Sequence, residues 1–190
     1  SYQKSKAGNR KNVSSLLIIM KSKNIIKTDV LLIGTGIAGC TSALELADKK
    51  IKVAIVTFST DLMESNTKYA QGGIVYKGEG DPGCLERDIV RAGAGLCNKK
   101  AVKILAREGP IIVEDILMKK LNLRFSKNEK GELHLTREAA HSCRRILHIK
   151  DQTGKFIEEA FIKKIKNNPY IKVYTDHTLI DLLTLPYHLK

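Results

Sequence analysis

The stretch "DVLLIGTGIAG" at residues 29–39 decides the fold of this sequence. Its first six residues form a short, continuous apolar run of the kind that makes a strand buried on both faces. The stretch that follows, "AGCTSALELADKK", has apolar residues at helical spacing, and "IKVAIVTF" at 51–58 is a second β-branched apolar run. Strand, glycine turn, helix and strand make a βαβ unit, so we expect two parallel strands joined by a right-handed crossover.

The glycine turn has the spacing Gly34-x-Gly36-x-x-Gly39 and lies between a strand and a helix, as the dinucleotide-binding fingerprint requires. In that fingerprint the first glycine permits the tight turn, the second lets a pyrophosphate approach the backbone, and the third lets the helix pack close to the strand. The N–H groups and partial positive charge of the helix N-terminus attract phosphates. The sequence therefore predicts a Rossmann-like α/β fold that binds a dinucleotide.

An acidic residue expected by the fingerprint is missing. About twenty residues after the glycine turn, an Asp or Glu at the end of the second strand should accept hydrogen bonds from the ribose. The sequence has Thr57 and Phe58 there, and Thr57 or Ser59 offers a hydroxyl without a charge. This absence argues against an ordinary NAD dehydrogenase and not against a flavoprotein.

The rest of the chain alternates helical and strand patterns. The stretches "CLERDIVRAGAG" and "AVKILAREG" predict two helices separated by a glycine turn, and "PIIVEDILMKKL" predicts a third that begins at Pro110. A hairpin around Lys130-Gly131 is predicted by "LRFSKNEKGELHL". An amphipathic helix, "TGKFIEEAFIKKIKNN", is predicted to end at Asn168-Pro169, and "IKVYTDHTLIDLLT" predicts a final strand.

The formal net charge of +13 is unevenly distributed, because the first 28 residues hold seven Lys and Arg and no acid. The remaining body has no interleaved aromatic and basic platform, so we expect no nucleic-acid partner.

The apolar run "LLIIM" at 16–20 is too short to cross a bilayer, so we expect no membrane span. Residues 1–27 are expected to be a basic leader that is disordered, a transit-peptide remnant, or not native with the natural start at Met20; we favour the last two.

The titratable and metal-binding residue types do not form a familiar motif. Four cysteines, Cys40, Cys84, Cys97 and Cys143, lie far apart without a C-x-x-C pair, so we expect free thiols and no zinc site. His134, His141 and His148 recur every seven residues, which would spread them over about 21 Å of a helix. We expect no metal. The basic stretch "CRRILHIK" could hold a phosphate, although a solvated face is favoured.

A second glycine cluster carries a resemblance to a known family. The stretch "ESNTKYAQGGI" at 64–74 resembles the "S-x-T-x-x-A-Q-G-G" segment that flavoproteins of the succinate dehydrogenase and fumarate reductase superfamily carry along the isoalloxazine and pyrophosphate of FAD. Together with "DVLLIGTGIAG", "DIVRAGAGLC" and "HLTREAAHSCRRILHIKDQTG", in this order, it resembles the N-terminal part of bacterial and plant L-aspartate oxidases over about residues 28–184.

The resemblance implies an α/β, Rossmann-like FAD-binding domain with a parallel sheet over residues 28–190, as the N-terminal part of a larger flavoprotein with its catalytic residues beyond Lys190. This part alone would leave the flavin open to water, so we expect it to be inactive by itself. It implies FAD-dependent oxidation of L-aspartate to iminoaspartate, the first step of de novo NAD biosynthesis. Oxygen or fumarate would accept the electrons, and quinolinate synthase would take the product. The location implied is the cytoplasm, or a plastid if residues 1–27 are a transit-peptide remnant.

Two alternatives remain open from the sequence. The first is a soluble fumarate reductase or succinate dehydrogenase-type flavoprotein, which shares the segment at 64–74. The second is a basic, non-catalytic module that keeps the Rossmann-like unit for nucleotide binding.

The resemblance also implies cofactor contacts residue by residue. The phosphates would lie on Gly34, Thr35, Gly36, Ile37, Ala38 and Gly39. The flavin would be lined by Asn66, Thr67, Lys68, Tyr69, Ala70, Gln71, Gly72 and Gly73, the two glycines being small because a flat ring lies against their backbone. The His that holds FAD covalently in the membrane-bound relatives is replaced by Asn66, which implies non-covalent FAD.

In the family, the Glu of "HLTRE" orients the substrate through its α-amino group, and that position is Glu138. A carboxylate beside an ammonium makes a charge-assisted contact that succinate cannot make, so Glu138 would separate aspartate from succinate; the alternative is a solvated helix charge.

Relatives often have "E-G-G-H-S" where this chain has Ala139 and Ala140. Alanine is unfavourable there if φ is positive and tolerated if the segment is helical.

Overall fold

The structure, a computed structural model, describes residues 25–183. The leader expected over 1–27 lies outside that range except for its last three residues. The elements in chain order are β1 (Val30–Ile33), α1 (Ile37–Asp48), β2 (Val53–Val56), β3 (Ile74–Val75), α2 (Gly83–Ala92), α3 (Lys99–Ile112), a π-helical segment (Val113–Lys120), β4 (Leu135–Thr136), β5 (Ile146–Leu147), α4 (Thr153–Lys166) and β6 (Ile171–Tyr174). Among these described residues, no helix is both long enough and apolar enough to span a bilayer.

The predicted βαβ unit is present in a three-stranded sheet of order β1-β2-β6. Both pairings are parallel, with Val30 opposite Val53 and Val53 opposite Ile171. The connecting helices α1 and α4 pack against each other. The α/β class and the parallel sheet predicted from the sequence are therefore confirmed.

Burial differs between the two predicted inner strands. In β2, Val53, Ala54 and Ile55 are all buried, as predicted. In β1, Leu31 is 46% and Ile33 56% exposed, so the prediction of burial on both faces is wrong for the part of the chain that the structure describes. The reason is position, because β1 is an edge strand and only alternate residues of a strand point toward the helices that cover one face.

A second, antiparallel sheet of order β3-β5-β4 lies beyond the parallel one in the chain. Leu147 of β5 pairs with Ile74 on one side and with Leu135 on the other. The predicted hairpin is confirmed at its turn, where Lys127 and Leu133 form an antiparallel bridge. This small sheet brings the second glycine cluster and the "HLTRE" segment onto one scaffold.

Two helices separated by a glycine turn are confirmed as α2 and α3, and Asn98 caps α3 by accepting hydrogen bonds from two backbone N–H groups. The prediction of a new helix at Pro110 is wrong, since α3 runs through Pro110 to Ile112 and continues as the π-helical segment. Proline removes one backbone donor and crowds the preceding turn. The π-helical segment that follows has wider i→i+5 bonding, such as Leu121 N to Ile116 O at 2.9 Å, and Val113, Ile116 and Leu117 are its buried residues.

The last predicted strand is shorter than expected. Only Ile171–Tyr174 pairs with β2, and Asp176 adopts a left-handed conformation with φ of 59°. That conformation is incompatible with an extended strand. The chain instead stays beside the end of β2 through a hydrogen bond from His177 N to Thr57 O at 3.0 Å.

The core between α1 and α4 contains a buried carboxylate. Glu158 of α4 is fully buried, and neither of its oxygens has a hydrogen-bond partner among the residues that the structure describes. Burial raises the pKa of Glu158 to about 7, and the nearby Ser65 hydroxyl acts weakly in the opposite direction. Across the interface, burial first and the Glu158 charge second raise the pKa of Cys40 to about 12. The interface therefore favours a protonated Glu158.

We predict that replacing Glu158 with Gln removes a pH-dependent loss of stability. The folded pKa of about 7 lies above the ordinary 4.5, so the wild-type protein loses stability as the pH rises from 4.5 to 7, by roughly 3 kcal/mol in all. Glutamine cannot ionise. The quantity to measure is the melting temperature of Glu158→Gln minus that of the wild type, by circular dichroism. This difference should be several degrees larger at pH 8 than at pH 5.

The matched control is Glu159→Gln, which changes an exposed carboxylate on the same helix. The difference in melting temperature between this variant and the wild type should be nearly the same at both pH values. Equal pH dependence of the wild type and Glu158→Gln would contradict the assignment.

Candidate cofactor site

A cleft of about 510 Å³ opens at the carboxyl ends of β1 and β2. Four backbone stretches line it, at 33–39, 56–58, 64–67 and 177–179. Ligands of open parallel α/β sheets bind at this edge of the sheet. All six residues predicted to contact the phosphates, Gly34 to Gly39, line the cleft.

The glycine turn has the geometry that the fingerprint requires. Gly34 has a φ of +95°, which favours glycine. At Gly39, an added Cβ would collide with the carbonyl oxygen of Gly34, so α1 starts in direct contact with the turn. The N-terminus of α1 consequently points into the cleft at close range.

The cleft contains an unsatisfied polar group that suits an anionic ligand. The Thr35 hydroxyl is buried and has no hydrogen-bond partner among the described residues. A buried polar group without a partner costs about 1–3 kcal/mol. Beside it, Ile37 N donates to Thr67 Oγ1 at 3.0 Å, which ties the glycine turn to the 64–67 loop. The Thr35 hydroxyl is thus the side-chain group of this turn that an anionic ligand such as a pyrophosphate would satisfy.

The place where a ribose acceptor was expected holds Thr57, which is buried, and Phe58, which is 67% exposed, and both line the cleft. A carboxylate does reach the cleft from elsewhere, because Glu64 lines it. Glu64 accepts hydrogen bonds from the Tyr69 hydroxyl at 2.9 and 2.8 Å and contacts Lys68 Nζ at 3.5 Å. Sequence reasoning missed Glu64 because it lies in the loop and not at the strand end; its only signal was its position just before "SNT".

The eight residues predicted to line a flavin do not surround one cavity. Asn66 and Thr67 lie in the 510 Å³ cleft. Lys68, Tyr69 and Gln71 border a smaller cleft of about 290 Å³ on the side of Asp151 and Lys155. Gly73 borders an apolar cleft of about 710 Å³ formed mainly with α2 and α3. The cofactor role of these residues stays a prediction.

The N-terminus of α4 packs against the loop that carries residues 66–73. Gly154 N donates to Ala70 O at 2.8 Å, and an added Cβ at Gly154 would collide with the carbonyl of Thr67 and lie 2.5 Å from that of Ala70. Thr153 is buried, and its hydroxyl accepts from Ile149 N at 2.9 Å. The sequence alone assigns no role to Gly154, because the contact that requires a glycine there comes from a loop more than eighty residues away.

Glu138 lies against the second glycine cluster. A Cβ added to Gly72 would be 2.5 Å from Glu138 Oε1, so the absence of a side chain at Gly72 makes room for this carboxylate. Glu138 is exposed, and no side chain among residues 25–183 pairs with it. Glu138, the predicted substrate contact, therefore lies beside Gly72 of the predicted flavin segment. Neither of these two residues lines the 510 Å³ cleft.

The two alanines after Glu138 lie in a turn and not in a helix. Ala140 has a φ of 66°, in the left-handed region. Of the two possibilities left open by the sequence, the strained one is therefore present at Ala140. The Cβ atom makes this conformation unfavourable by about 1–2 kcal/mol relative to glycine.

A buried arginine fixes the segment that carries Glu138. Arg145 is fully buried, with Nη2 3.0 Å from Asp81 Oδ1 and Nη1 2.6 Å from Asp88 Oδ2. The expectation of a solvated basic face is wrong for Arg145. The Ser142 backbone N–H first, and Arg145 next, hold the pKa of Asp88 well below its usual range. Burial alone would lower the pKa of Arg145, but its hydrogen bond to Asp88 and the charge of Asp81 raise it above its ordinary value.

The expectation that His134, His141 and His148 are spread along one helix is wrong. His134 Nδ1 and His148 Nε2 lie 2.8 Å apart because β4 and β5 pair, while His141 Nδ1 lies 3.1 Å from Arg145 Nη1. Within residues 25–183, the one group of three metal-type ligands is Asp81, Cys84 and Cys143. Asp81 is already paired with a guanidinium, so a cation would meet electrostatic repulsion there.

Comparison with known proteins identifies the sequence family. The family model described as FAD binding domain matches residues 29–187. The L-aspartate oxidase of Arabidopsis thaliana chloroplasts is 40% identical over 158 residues, which cover 82% of this chain and 24% of that protein. The L-aspartate oxidase of Clostridium acetobutylicum is 41% identical over 160 residues, covering 84% and 36%. The chain thus spans well under half the length of these relatives.

Solved structures show the same fold. The open conformation of a flavocytochrome c3 fumarate reductase superposes with a TM-score of 0.75 at 18% identity, covering 98% of this chain and 33% of that chain. A variant of the E. coli quinol fumarate reductase subunit FrdA gives 0.72 at 21% identity, covering 80% and 26%. At these identities the similarity concerns the fold alone, and it confirms the predicted Rossmann-like class.

We predict that Ala140→Gly stabilises the protein by up to about 1 kcal/mol, because glycine relieves the left-handed strain at a partly offsetting entropic cost. The free energy of unfolding in urea measures the effect. Ala139→Gly is the matched control, since Ala139 lacks a positive φ and should only lose stability. The same sign for both variants would contradict the interpretation.

Gly154→Ala is predicted to destabilise the protein by about 1–3 kcal/mol, because the new methyl group meets backbone carbonyls that have no room to yield. Gly83→Ala provides the control, since an added Cβ there meets only Arg87 Nη1, at 3.6 Å. Urea unfolding of both variants tests the difference. A Gly154→Ala protein as stable as Gly83→Ala would show that the 66–70 loop does not rest on α4 as described.

Proposed function

Because the chain belongs to the FAD binding domain family, whose cofactor is FAD, we propose that it forms the FAD-binding part of an enzyme that oxidises L-aspartate to iminoaspartate. The single observation that carries this proposal is the contact between Glu138 and Gly72. The Glu138 carboxylate, which has no side-chain partner among residues 25–183, lies against the segment that resembles a flavin-lining loop, and a carboxylate there would suit a substrate ammonium group. The relatives named L-aspartate oxidase support the same substrate.

The glycine turn and the start of α1 would hold the FAD phosphates. The N–H groups of this turn and the helix dipole suit the pyrophosphate charge, and the Thr35 hydroxyl would gain the partner that it lacks among the described residues. Gly34, Gly36, Ile37, Ala38 and Gly39 line the same cleft. FAD, when bound, supplies the two-electron redox chemistry.

The segment from Asn66 to Gly73 would face the flavin and leave it non-covalently held. Asn66 has an amide where the membrane-bound relatives have the linking His, and an amide nitrogen is not a comparable nucleophile. Asn66 and Thr67, at the start of the segment, line the 510 Å³ cleft, and Gly72, near its end, lies beside Glu138. One continuous loop would therefore lead from the cofactor phosphates toward the substrate.

Glu138 would select aspartate over succinate. An ionised carboxylate bonded to an ammonium contributes about 1.5–3 kcal/mol, or roughly 10- to 150-fold in affinity. Succinate has no amine and would gain nothing from this contact, while it would add a negative charge near the carboxylate. The buried Arg145 network would hold the Glu138 segment in place for this role.

The remaining parts of the proposal concern the whole enzyme. Oxygen or fumarate would reoxidise the flavin, and quinolinate synthase would consume iminoaspartate in the de novo synthesis of NAD. The location would be the cytoplasm or a plastid; the name of the Arabidopsis relative places that protein in the chloroplast.

The test begins with an FAD titration of the 190-residue chain, followed by flavin fluorescence and by visible absorbance after desalting. The bound flavin is then mixed anaerobically with L-aspartate or with succinate, on this chain and on any longer form of the polypeptide. We expect FAD binding to this chain, a change of its flavin spectrum with L-aspartate and not with succinate, and bleaching by L-aspartate only in a form that has the catalytic residues. Failure to bind FAD would overturn the cofactor site, and bleaching by succinate alone would favour a fumarate reductase.

Glu138→Gln is predicted to weaken the response to L-aspartate by roughly 10- to 150-fold while leaving FAD affinity unchanged, because the amide lacks the charge. The concentration of aspartate at half-maximal spectral change measures this. Glu129→Gln alters an exposed carboxylate in the neighbouring hairpin and should change neither quantity. An unchanged aspartate response in Glu138→Gln would show that Glu138 is only a solvated charge without a role in substrate binding.

A further inference from the structure

Two cysteines distant in sequence meet beside the buried arginine. Cys84 lies in the first turn of α2, and Cys143 lies in the segment that leads into β5. Their sulfur atoms are within 4.8 Å of each other, and both residues are partly buried. The two thiols are therefore neighbours, which is the first requirement for a disulfide bond of roughly 2 Å. The fold therefore creates a thiol pair that the sequence spacing did not predict.

The surroundings of the pair favour thiolate chemistry. Arg145 Nη2 lies 2.9 Å from Cys143 Sγ, and Ser142 Oγ lies 2.9 Å from Cys84 Sγ. The Ser142 hydroxyl first, and Arg145 in addition, lower the pKa of Cys84, whereas burial raises that of Cys143 despite the nearby guanidinium. Reactive cysteines occur in partly exposed places beside cationic groups, although the charge of Asp88 raises the pKa of Cys84 and that of Asp81 raises the pKa of Cys143, both against the effect of Arg145. Cys84 is thus the better nucleophile and Cys143 the better second thiol.

The pair lies beside an open cleft, which Cys143 lines, while Cys84 is partly buried within 4.8 Å of the Cys143 sulfur. Cys143 and Ser142 line an open cleft of about 770 Å³, together with Glu79 and Arg144. By contrast, Cys40 is fully buried in the core between α1 and α4, and the Cys97 sulfur contacts the carbonyl of Ile89 in α2. A neighbouring thiol and the Arg145 guanidinium therefore distinguish the Cys84 and Cys143 pair from Cys97, which is also partly buried, and access distinguishes it from the buried Cys40.

We propose that Cys84 and Cys143 form a redox-sensitive dithiol that hydrogen peroxide closes to a disulfide. The Cys84 thiolate attacks one peroxide oxygen, the O–O bond breaks, and a sulfenic acid and hydroxide form. The Cys143 thiolate then attacks the Cys84 sulfur, the S–O bond breaks and the S–S bond forms. Two thiols and one peroxide give one disulfide and two waters; the sulfurs lose two electrons and the peroxide gains two.

Closure of this bond would tether α2 to the segment that carries Glu138, because Cys143 follows Glu138 by five residues. It would also remove the thiol contact that Arg145 Nη2 makes. The reaction depends on the geometry of the two cysteines and not on the oxidation of aspartate proposed above, so each proposal can fail without the other.

The test uses the full 190-residue chain, first reduced, then freed of reductant and exposed to hydrogen peroxide. Free thiols are counted under denaturing conditions with a thiol-reactive chromophore, and the chain is mapped by proteolysis and mass spectrometry. We expect the number of free thiols to fall from four to two, one cross-linked peptide joining Cys84 to Cys143, and recovery of four thiols with dithiothreitol. The pair should lose its free thiols before Cys97 does.

Single variants separate the two roles. Cys143→Ser should accumulate a sulfenic acid at Cys84 that dimedone traps, and Cys84→Ser should form no intramolecular disulfide. Cys97→Ser, the control, should still lose two thiols. The peptide map of the wild-type chain decides the proposal even if a variant fails to fold: four thiols remaining after peroxide, or a disulfide that involves Cys40 or Cys97, would overturn it.

Discussion

The start of α1 against the glycine turn is the constraint on which the rest of the structure depends. Because a side chain at Gly39 would collide with the carbonyl of Gly34, the helix can begin close to the end of β1 only if residue 39 is glycine. That contact sets the direction of α1 across the sheet and brings its N-terminus to the cleft. The N–H groups at this end are aimed where an anionic ligand would sit, so one steric requirement determines both the packing and the site.

A second constraint, the buried Arg145, organises the opposite part of the molecule. Its guanidinium connects Asp81, which precedes α2, and Asp88, which lies in α2, to the segment that leads into β5. A buried charge is tolerated only when its hydrogen-bonding groups are satisfied, and here both carboxylates and the Ser142 backbone N–H complete the network. The same guanidinium lies beside the cysteine pair, which makes rigidity and thiol reactivity properties of one cluster.

The two constraints meet through the loop that follows β2. At one end, the Thr67 hydroxyl accepts from the first N–H group of α1; at the other, Gly72 accommodates the Glu138 carboxylate. Gly154 supports the middle of the loop by bonding to Ala70. The loop is thus held by α1, by α4 and by the antiparallel sheet. This explains how a segment of little regular secondary structure keeps a defined course between two sites.

The sequence by itself determined the βαβ unit, the glycine turn and the two segments that converge on the candidate site, since these depend on local periodicity and on positions that only glycine can occupy. Only the tertiary structure decided that Arg145 is buried, that β1 is half exposed, that Pro110 lies inside a helix, and that Cys84 meets Cys143. These features depend on which elements pack together over long sequence separations. Local patterns carry no information about such partners, because side-chain burial and pairing are set by the neighbours that folding brings into contact.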